Sequence, residues 1–178
     1  MKRALLALAA LASACSGTAA PPKGQDKSPA PVAPWSSVAF TNKSWGRPVD
    51  SWQVNADGTG YWAETQREQG KPFGSYTVVY HDFRAGEAGV RQLALLMGEI
   101  PNPAPDPDQC EVYATDMNYG ELTFAGGPAS RTVKWNAGCR DAGYLAFLGQ
   151  LMAADELVQQ WGKGAPVARE EKFGEQER

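Results

Sequence analysis

Residues 49–64 read VDSWQVNADGTGYWAE, and this stretch carries the strongest signal for the fold class. Two runs rich in aromatic and β-branched residues, 49–54 and 59–64, flank a turn that contains Asp57 and Gly58. Glycine supplies the positive φ that a tight turn requires, so Asp-Gly between two such runs is a strong β-hairpin signal. The sequence therefore predicts two antiparallel strands joined by a tight turn.

Further strand signals lie on both sides of this hairpin. A short apolar run at 38–40 precedes it, and residues 73–81 alternate in the way expected of a central strand whose two faces are at least partly covered. Residues 110–115 read as another short strand, and 121–124 with 131–135 as a second hairpin.

Two segments change to a helical period. Apolar residues recur every three or four positions between 90 and 100, and Pro101 ends the first predicted helix. Asp141 is the expected N-cap of a second helix over 144–152, and Asp155 is expected to start a new turn.

The order is therefore strands, helix, strands, helix. It predicts an α+β fold, an antiparallel sheet of hairpins with two amphipathic helices on one face. The expected domain spans 35–162, and the charged segment 163–178, which loses apolar periodicity, is expected to be a flexible tail.

The N-terminus predicts the destination of the protein. Residues 1–14 have a basic start and about a dozen apolar residues, as in a secretory signal peptide. Residues 11–15, LASAC, resemble the bacterial lipobox, which implies cleavage before Cys15 and lipidation of that cysteine. Ordinary cleavage after Ala14 or Ala20 is the alternative. In lipoproteins, Ser16 in place of an aspartate implies the outer membrane.

The segment after the anchor is a tether. Residues 15–34 are rich in proline, with small and polar residues between, so they are expected to be extended and to hold the domain away from the bilayer.

The whole chain of 178 residues has a net charge of −3, with 17 basic and 20 acidic residues. Removing Lys2 and Arg3 with the signal leaves 15 basic residues and a charge of −5. This balance excludes a nucleic-acid partner, which requires a basic surface, and leaves the lipid as the expected contact with the membrane.

The three cysteines divide into one anchor and one pair. With Cys15 lipidated, Cys110 and Cys139 are expected to form a disulfide in an oxidising compartment. A meander of the strands between them would hold the two cysteines apart, so either the segment 116–120 is not a simple hairpin turn or Cys139 folds back.

The sequence contains no recognisable catalytic or metal-binding set. His81, with Asp82 beside it, is the one histidine, and no Gly-x-Ser-x-Gly elbow accompanies it. The acidic residues between 106 and 121 lack the spacing of a calcium loop. We therefore expect no cofactor and no metal, although a carboxylate pair for glycoside hydrolysis stays open.

The aromatic residues suggest binding rather than chemistry. Trp52, Trp62 and Trp135 lie on predicted strands and are expected to pack there. Trp35 and Trp45 stand in less regular sequence near the tether and are the candidates for an exposed binding pair.

The folded part resembles uncharacterised small domains of secreted bacterial lipoproteins. The resemblance runs from Trp52 through the turn at Gly58 to Cys110, Cys139 and the leucine-rich last helix, and it implies fold and compartment only. The expected function is that of a non-catalytic, lipid-anchored envelope protein that binds an envelope partner or has a structural role. The alternatives are an inhibitor of a periplasmic hydrolase, a cell-wall hydrolase and a glycan binder.

Overall fold

The computed structural model describes residues 33–68, 70 and 74–174. The predicted signal peptide, Cys15 and nearly all of the predicted tether lie outside these residues. Seven strands and two long helices follow one another in the chain: β1 (Ser37–Ser44), β2 (Arg47–Asn55), β3 (Thr59–Arg67), β4 (Tyr76–Arg84), α1 (Gly86–Gly98), β5 (Tyr119–Ala125), β6 (Arg131–Asn136), α2 (Ala142–Lys163) and β7 (Val167–Phe173). Single turns of 3₁₀ helix occur at Pro107–Gln109 and Gly127–Ala129.

The strands form one antiparallel sheet in the order β6-β5-β1-β2-β3-β4-β7. The predicted central hairpin is confirmed as β2–β3, with Trp52 opposite Trp62 and with Gly58 at φ +82° in the turn. β1 to β4 form a continuous meander, the hairpin β5–β6 joins its β1 edge, and β7 joins its β4 edge. The antiparallel sheet, the two helices and the disulfide are confirmed. The fold is nevertheless predominantly β rather than an even α+β mixture built from separate hairpins.

Strand alternation gives the sheet one apolar face, and both helices pack there. Phe40, Trp52 and Trp62 lie side by side on neighbouring strands and are buried. The buried residues of α1 and α2 belong to the same core: Val90, Leu93, Met97, Tyr144, Phe147, Leu151, Ala154 and Val158. Within the described residues, neither helix combines the length and apolar character that crossing a bilayer would require.

The predicted flexible tail, 163–178, is wrong at the seven residues that form a strand. Val167–Phe173 forms β7, which pairs with β4 through a register that sets Tyr80 opposite Arg169 and Tyr76 opposite Phe173. The Arg169 guanidinium lies 3.6 Å from the Tyr80 ring centroid, and Phe173 stacks on Tyr76. Every β7 residue is exposed, so the strand carries no apolar periodicity, and its charges suit a sheet edge.

Two further local predictions are wrong. Residues 110–115 do not form a strand, and they contribute only the single bridge between Tyr113 and Cys139. No new turn starts at Asp155, since α2 runs unbroken through it. Asp155 stays helical because its carboxylate lies among core side chains, where it accepts a hydrogen bond from Trp52 of β2.

Helix α2 approaches the sheet closely at Gly162. A Cβ atom built there would lie 2.4 Å from Cβ of Trp62, whereas one built at Gly149 of the same helix would meet nothing within 4 Å. We expect Gly162→Ala to lower the free energy of unfolding by about 1–3 kcal/mol, because it overpacks the interface.

The matched control is Gly149→Ala, expected to raise the free energy of unfolding by about 0.5–1 kcal/mol through helix propensity alone. Urea unfolding followed by circular dichroism measures both. Equal effects of the two substitutions would contradict the close approach.

Candidate functional site

An exposed aromatic groove lies where the β1–β2 turn meets the loop before β5. It has a volume of about 230 Å³, and six residues line it: Trp45, Tyr113, Asp116, Met117, Tyr119 and Asn136. Three of the apolar side chains are substantially exposed, Trp45 at 65%, Tyr113 at 49% and Met117 at 38%. We call this site the Trp45 groove.

The groove contains the two non-glycine residues with positive φ in the described part of the chain. Trp45 has φ 53° and Asp116 has φ 64°. This conformation costs an L-residue roughly 1–2 kcal/mol. At Trp45 the strained backbone conformation is stabilised in the turn, because the N–H of the next residue, Gly46, donates a hydrogen bond to the Tyr119 hydroxyl at 3.0 Å. Residues with strained backbone conformations occur preferentially at ligand contacts. The positive φ of Trp45 and of Asp116 therefore makes the groove a candidate functional site.

The disulfide holds one wall of the groove. Cys110 and Cys139 are bonded, with their Cα atoms 5.7 Å apart, which confirms the predicted pair. Cys139 also forms a β-bridge with Tyr113, so the chain after β6 does fold back onto the loop. The loop pairs with the turn after β6 instead of forming a strand of the sheet, so the meander that would hold the two cysteines apart does not form.

Asp141 completes the attachment of the loop. It stands at the N-cap position of α2, as expected, but its side chain makes no capping hydrogen bond. Its carboxylate instead accepts the backbone N–H groups of Glu111 and Val112, each at 3.0 Å. Asp141 also lies close to the sulfurs of Cys110 and Cys139, but these are bonded to each other and are not thiolate ligands for a metal.

The two tryptophans of the predicted binding pair lie in different environments. Trp45 is exposed as expected, whereas Trp35 is only 3% exposed and belongs to the core. The expected exposure of Trp35 is therefore wrong. Its neighbour Ser36 donates backbone and side-chain hydrogen bonds to the Ala125 carbonyl, and this ties the segment before β1 to the end of β5.

A pair of buried carboxyl groups lies under α2. Asp50 of β2 and Asp155 of α2 are 7% and 6% exposed. Asp155 accepts from Trp52 Nε1 at 2.9 Å and from Gln159 Nε2 at 2.9 Å, while Asp50 accepts from Asn42 Nδ2 at 2.6 Å. Burial, together with the charge of Asp155, raises the pKa of Asp50 to about 7, and burial also raises the pKa of Asp155. An interaction between the two carboxyl groups also raises the pKa of Asp50 and lowers that of Asp155, which favours the proton on Asp50.

This pair is structural rather than catalytic. Both carboxyl groups are more than nine-tenths buried and are engaged by core side chains, so a glycan has no access to them. The sequence-based predictions overlooked them, although a signal was present. Asp50 alternates in phase with Trp52, and Asp155 stands on the helix stripe defined by Leu151 and Val158.

His81 of β4 makes a hydrogen bond to a residue far along the chain. Its Nδ1 lies 3.0 Å from the carbonyl oxygen of Ala165, so Nδ1 carries the proton, and its ring lies beside Trp62. These contacts join β4 to the connection between α2 and β7.

Comparison with known proteins adds no assignment, since no protein-family model, curated protein or solved structure matches this chain.

The carboxyl pair predicts how stability depends on pH. Asp50 binds a proton in the folded state up to about pH 7, but in the unfolded state only below its ordinary pKa near 4. Between these values the unfolded chain binds fewer protons, so the free energy of unfolding falls as pH rises, by up to about 1.4 kcal/mol per pH unit for this group.

We expect Asp50→Asn to remove much of this slope and to be more stable than the original protein at pH 8. An amide donates to Asp155 and accepts from Asn42 without a charge. Urea unfolding at a series of pH values measures the slope. Asp116→Asn, an exposed substitution, should leave it unchanged. An unchanged slope in Asp50→Asn would contradict the raised pKa of Asp50.

Proposed function

We propose that this chain is a lipid-anchored protein of the bacterial cell envelope whose folded domain is a non-catalytic module that binds another envelope protein through the Trp45 groove. The observation that carries the binding role is the exposure of Trp45, Tyr113 and Met117 around one strained, disulfide-supported site. The compartment and the anchor rest on residues 1–15 of the sequence, in particular Cys15.

The composition of the groove favours a protein partner. Trp, Tyr and Met are enriched at protein interfaces, where a few aromatic anchors supply most of the binding energy. Trp45 is expected to be such an anchor, because most of its large side chain is exposed and its backbone is fixed by the turn.

Rigidity of the groove reduces the entropic cost of binding. The disulfide at Cys110, the bridge at Tyr113 and the two N–H groups held by Asp141 all restrain the loop on one side. A surface ordered before binding loses less conformational freedom on association. This supports recognition rather than a flexible spacer role.

Leu95 provides an internal comparison. It is 71% exposed on α1, more than Trp45, yet it does not line the Trp45 groove. Single exposed apolar side chains are common on protein surfaces, whereas clusters of them mark interaction sites. Leu95 is therefore a matched control for Trp45.

Photo-cross-linking in intact cells tests the proposal. A photoreactive amino acid at position 117 should give one discrete cross-linked protein band, and the same amino acid at position 95 should give none. The Trp45→Ala substitution should reduce the band from position 117 to background, because the anchor side chain is lost. Leu95→Ala should leave it unchanged.

Two outcomes would contradict the protein-binding role. One is the absence of a discrete band at position 117, and the other is a band that survives Trp45→Ala.

Asp116 beside the aromatic rings also favours a second candidate, glycan binding, since a carboxylate can accept hydroxyl hydrogen bonds. Co-sedimentation of the protein with purified cell-wall glycan, abolished by Trp45→Ala, would support that candidate instead.

The anchor is tested separately. We expect Cys15→Ala to release the protein from the membrane fraction into the soluble periplasmic fraction, because no acyl chain can be attached. The double substitution of Cys110 and Cys139 by alanine is the control, since it removes the other two cysteines without touching the lipobox, and it should stay with membranes. Unchanged membrane fractionation of Cys15→Ala would show that the anchor is wrong.

A further inference from the structure

A second cleft lies between the C-terminal end of α1 and the β5–β6 hairpin. Its volume is about 420 Å³, within the range of small-molecule sites. The walls combine apolar and polar surface, and the residues that matter for recognition are Trp35, Met97, Ile100, Phe124 and Arg131. None of these residues lines the Trp45 groove.

Two buried hydrogen-bond donors in this cleft have no partner. The indole Nε1 of Trp35 and the guanidinium Nε of Arg131 are both buried without an acceptor in the described part of the chain. An unsatisfied buried donor costs about 1–3 kcal/mol, and native proteins retain few of them. Both residues line the same cleft, so a ligand that carries acceptor atoms and displaces the side chains covering the two nitrogens would satisfy both donors.

The charge of Arg131 specifies the kind of acceptor. Its Nη2 donates to the Ile100 carbonyl oxygen at 3.2 Å, and its guanidinium lies 4.8 Å from the Phe124 ring centroid. Among the described residues it forms no salt bridge, even though Glu99 also lines the cleft. A partly buried guanidinium that is held by a carbonyl and an aromatic ring, but lacks an anion, is suited to bind a carboxylate.

We propose that this cleft binds a small ligand that carries a carboxylate on an apolar chain. The carboxylate accepts hydrogen bonds from Arg131 Nε and Trp35 Nε1, and the apolar part packs against Met97, Ile100 and Phe124. A single guanidinium, with Glu99 also lining the cleft, matches one negative charge better than the multiple charges of a phosphate. This site is independent of the protein-binding role proposed for the Trp45 groove.

Two sources share this chemistry, a fatty acid and the C-terminus of an apolar peptide. Isothermal titration of the folded protein with octanoate and with N-acetyl-leucyl-leucine distinguishes them. Octanol and the peptide amide are the neutral controls. We expect saturable binding of at least one carboxylate, and binding of its neutral analogue that is weaker by about tenfold or more, since hydrogen bonds to charged groups are roughly twice as strong as neutral ones.

Substitutions at the two donors connect binding to the cleft. Arg131→Gln and Trp35→Phe should each weaken binding of the carboxylate by about tenfold, because each removes one donor to the ligand. Lys134→Gln is the matched control. It removes the same charge from the same strand, and Lys134 lines neighbouring clefts instead of this one. Thermal unfolding of each variant shows whether the fold is retained.

Nuclear magnetic resonance supplies a readout that does not depend on affinity. The Trp35 indole N–H signal, assigned from its loss in Trp35→Phe, should move downfield on addition of the carboxylate as its donor gains an acceptor. The signals of Trp52 and Trp62, which lie elsewhere in the core, should move little. The proposal is overturned if neither carboxylate binds, if each binds no better than its neutral analogue, or if the Trp35 signal stays fixed at saturation.

Discussion

Burial of Trp52 constrains both the sheet and the helix that covers it. Its side chain is completely buried, its ring stacks on Phe40, and its indole N–H donates to Asp155 at 2.9 Å. A tryptophan at the centre of a sheet needs an acceptor for that N–H, and here the acceptor is a carboxylate on α2. This bond joins α2 to the centre of the sheet and brings a carboxyl group into the core. Protonation of Asp50 then reduces the cost of burying charge there.

The position of α2 determines the path of the chain at both of its ends. Gly162 lets the helix contact Trp62 closely, and the Ala165 carbonyl accepts from His81. The chain is thereby directed to the β4 edge, where β7 adds a strand made mostly of polar residues. At the opposite end of α2, Asp141 holds the loop that forms one wall of the Trp45 groove. Core packing and the candidate binding surface therefore share the same helix.

Much of the fold could be predicted because its signals are local. The β2–β3 hairpin follows from Asp57, Gly58 and the flanking alternation, and the two helices follow from their apolar periods. β7 could not be predicted in this way, because all of its residues are exposed and it is ordered by pairing with β4. Residues 110–115 were misjudged for a related reason, since the disulfide and Asp141 hold them outside the sheet.

The amino-acid sequence alone was sufficient for the antiparallel pairing at Gly58, the two helices and the pairing of Cys110 with Cys139. These depend on turn geometry, on periodicity and on the number of cysteines, which are properties of short segments or of composition. The folded structure was needed to establish that Trp35 is buried while Trp45 is exposed, and that burial raises the pKa values of Asp50 and Asp155. Exposure and pKa depend on neighbours that are distant in the chain, and folding alone brings those neighbours into contact.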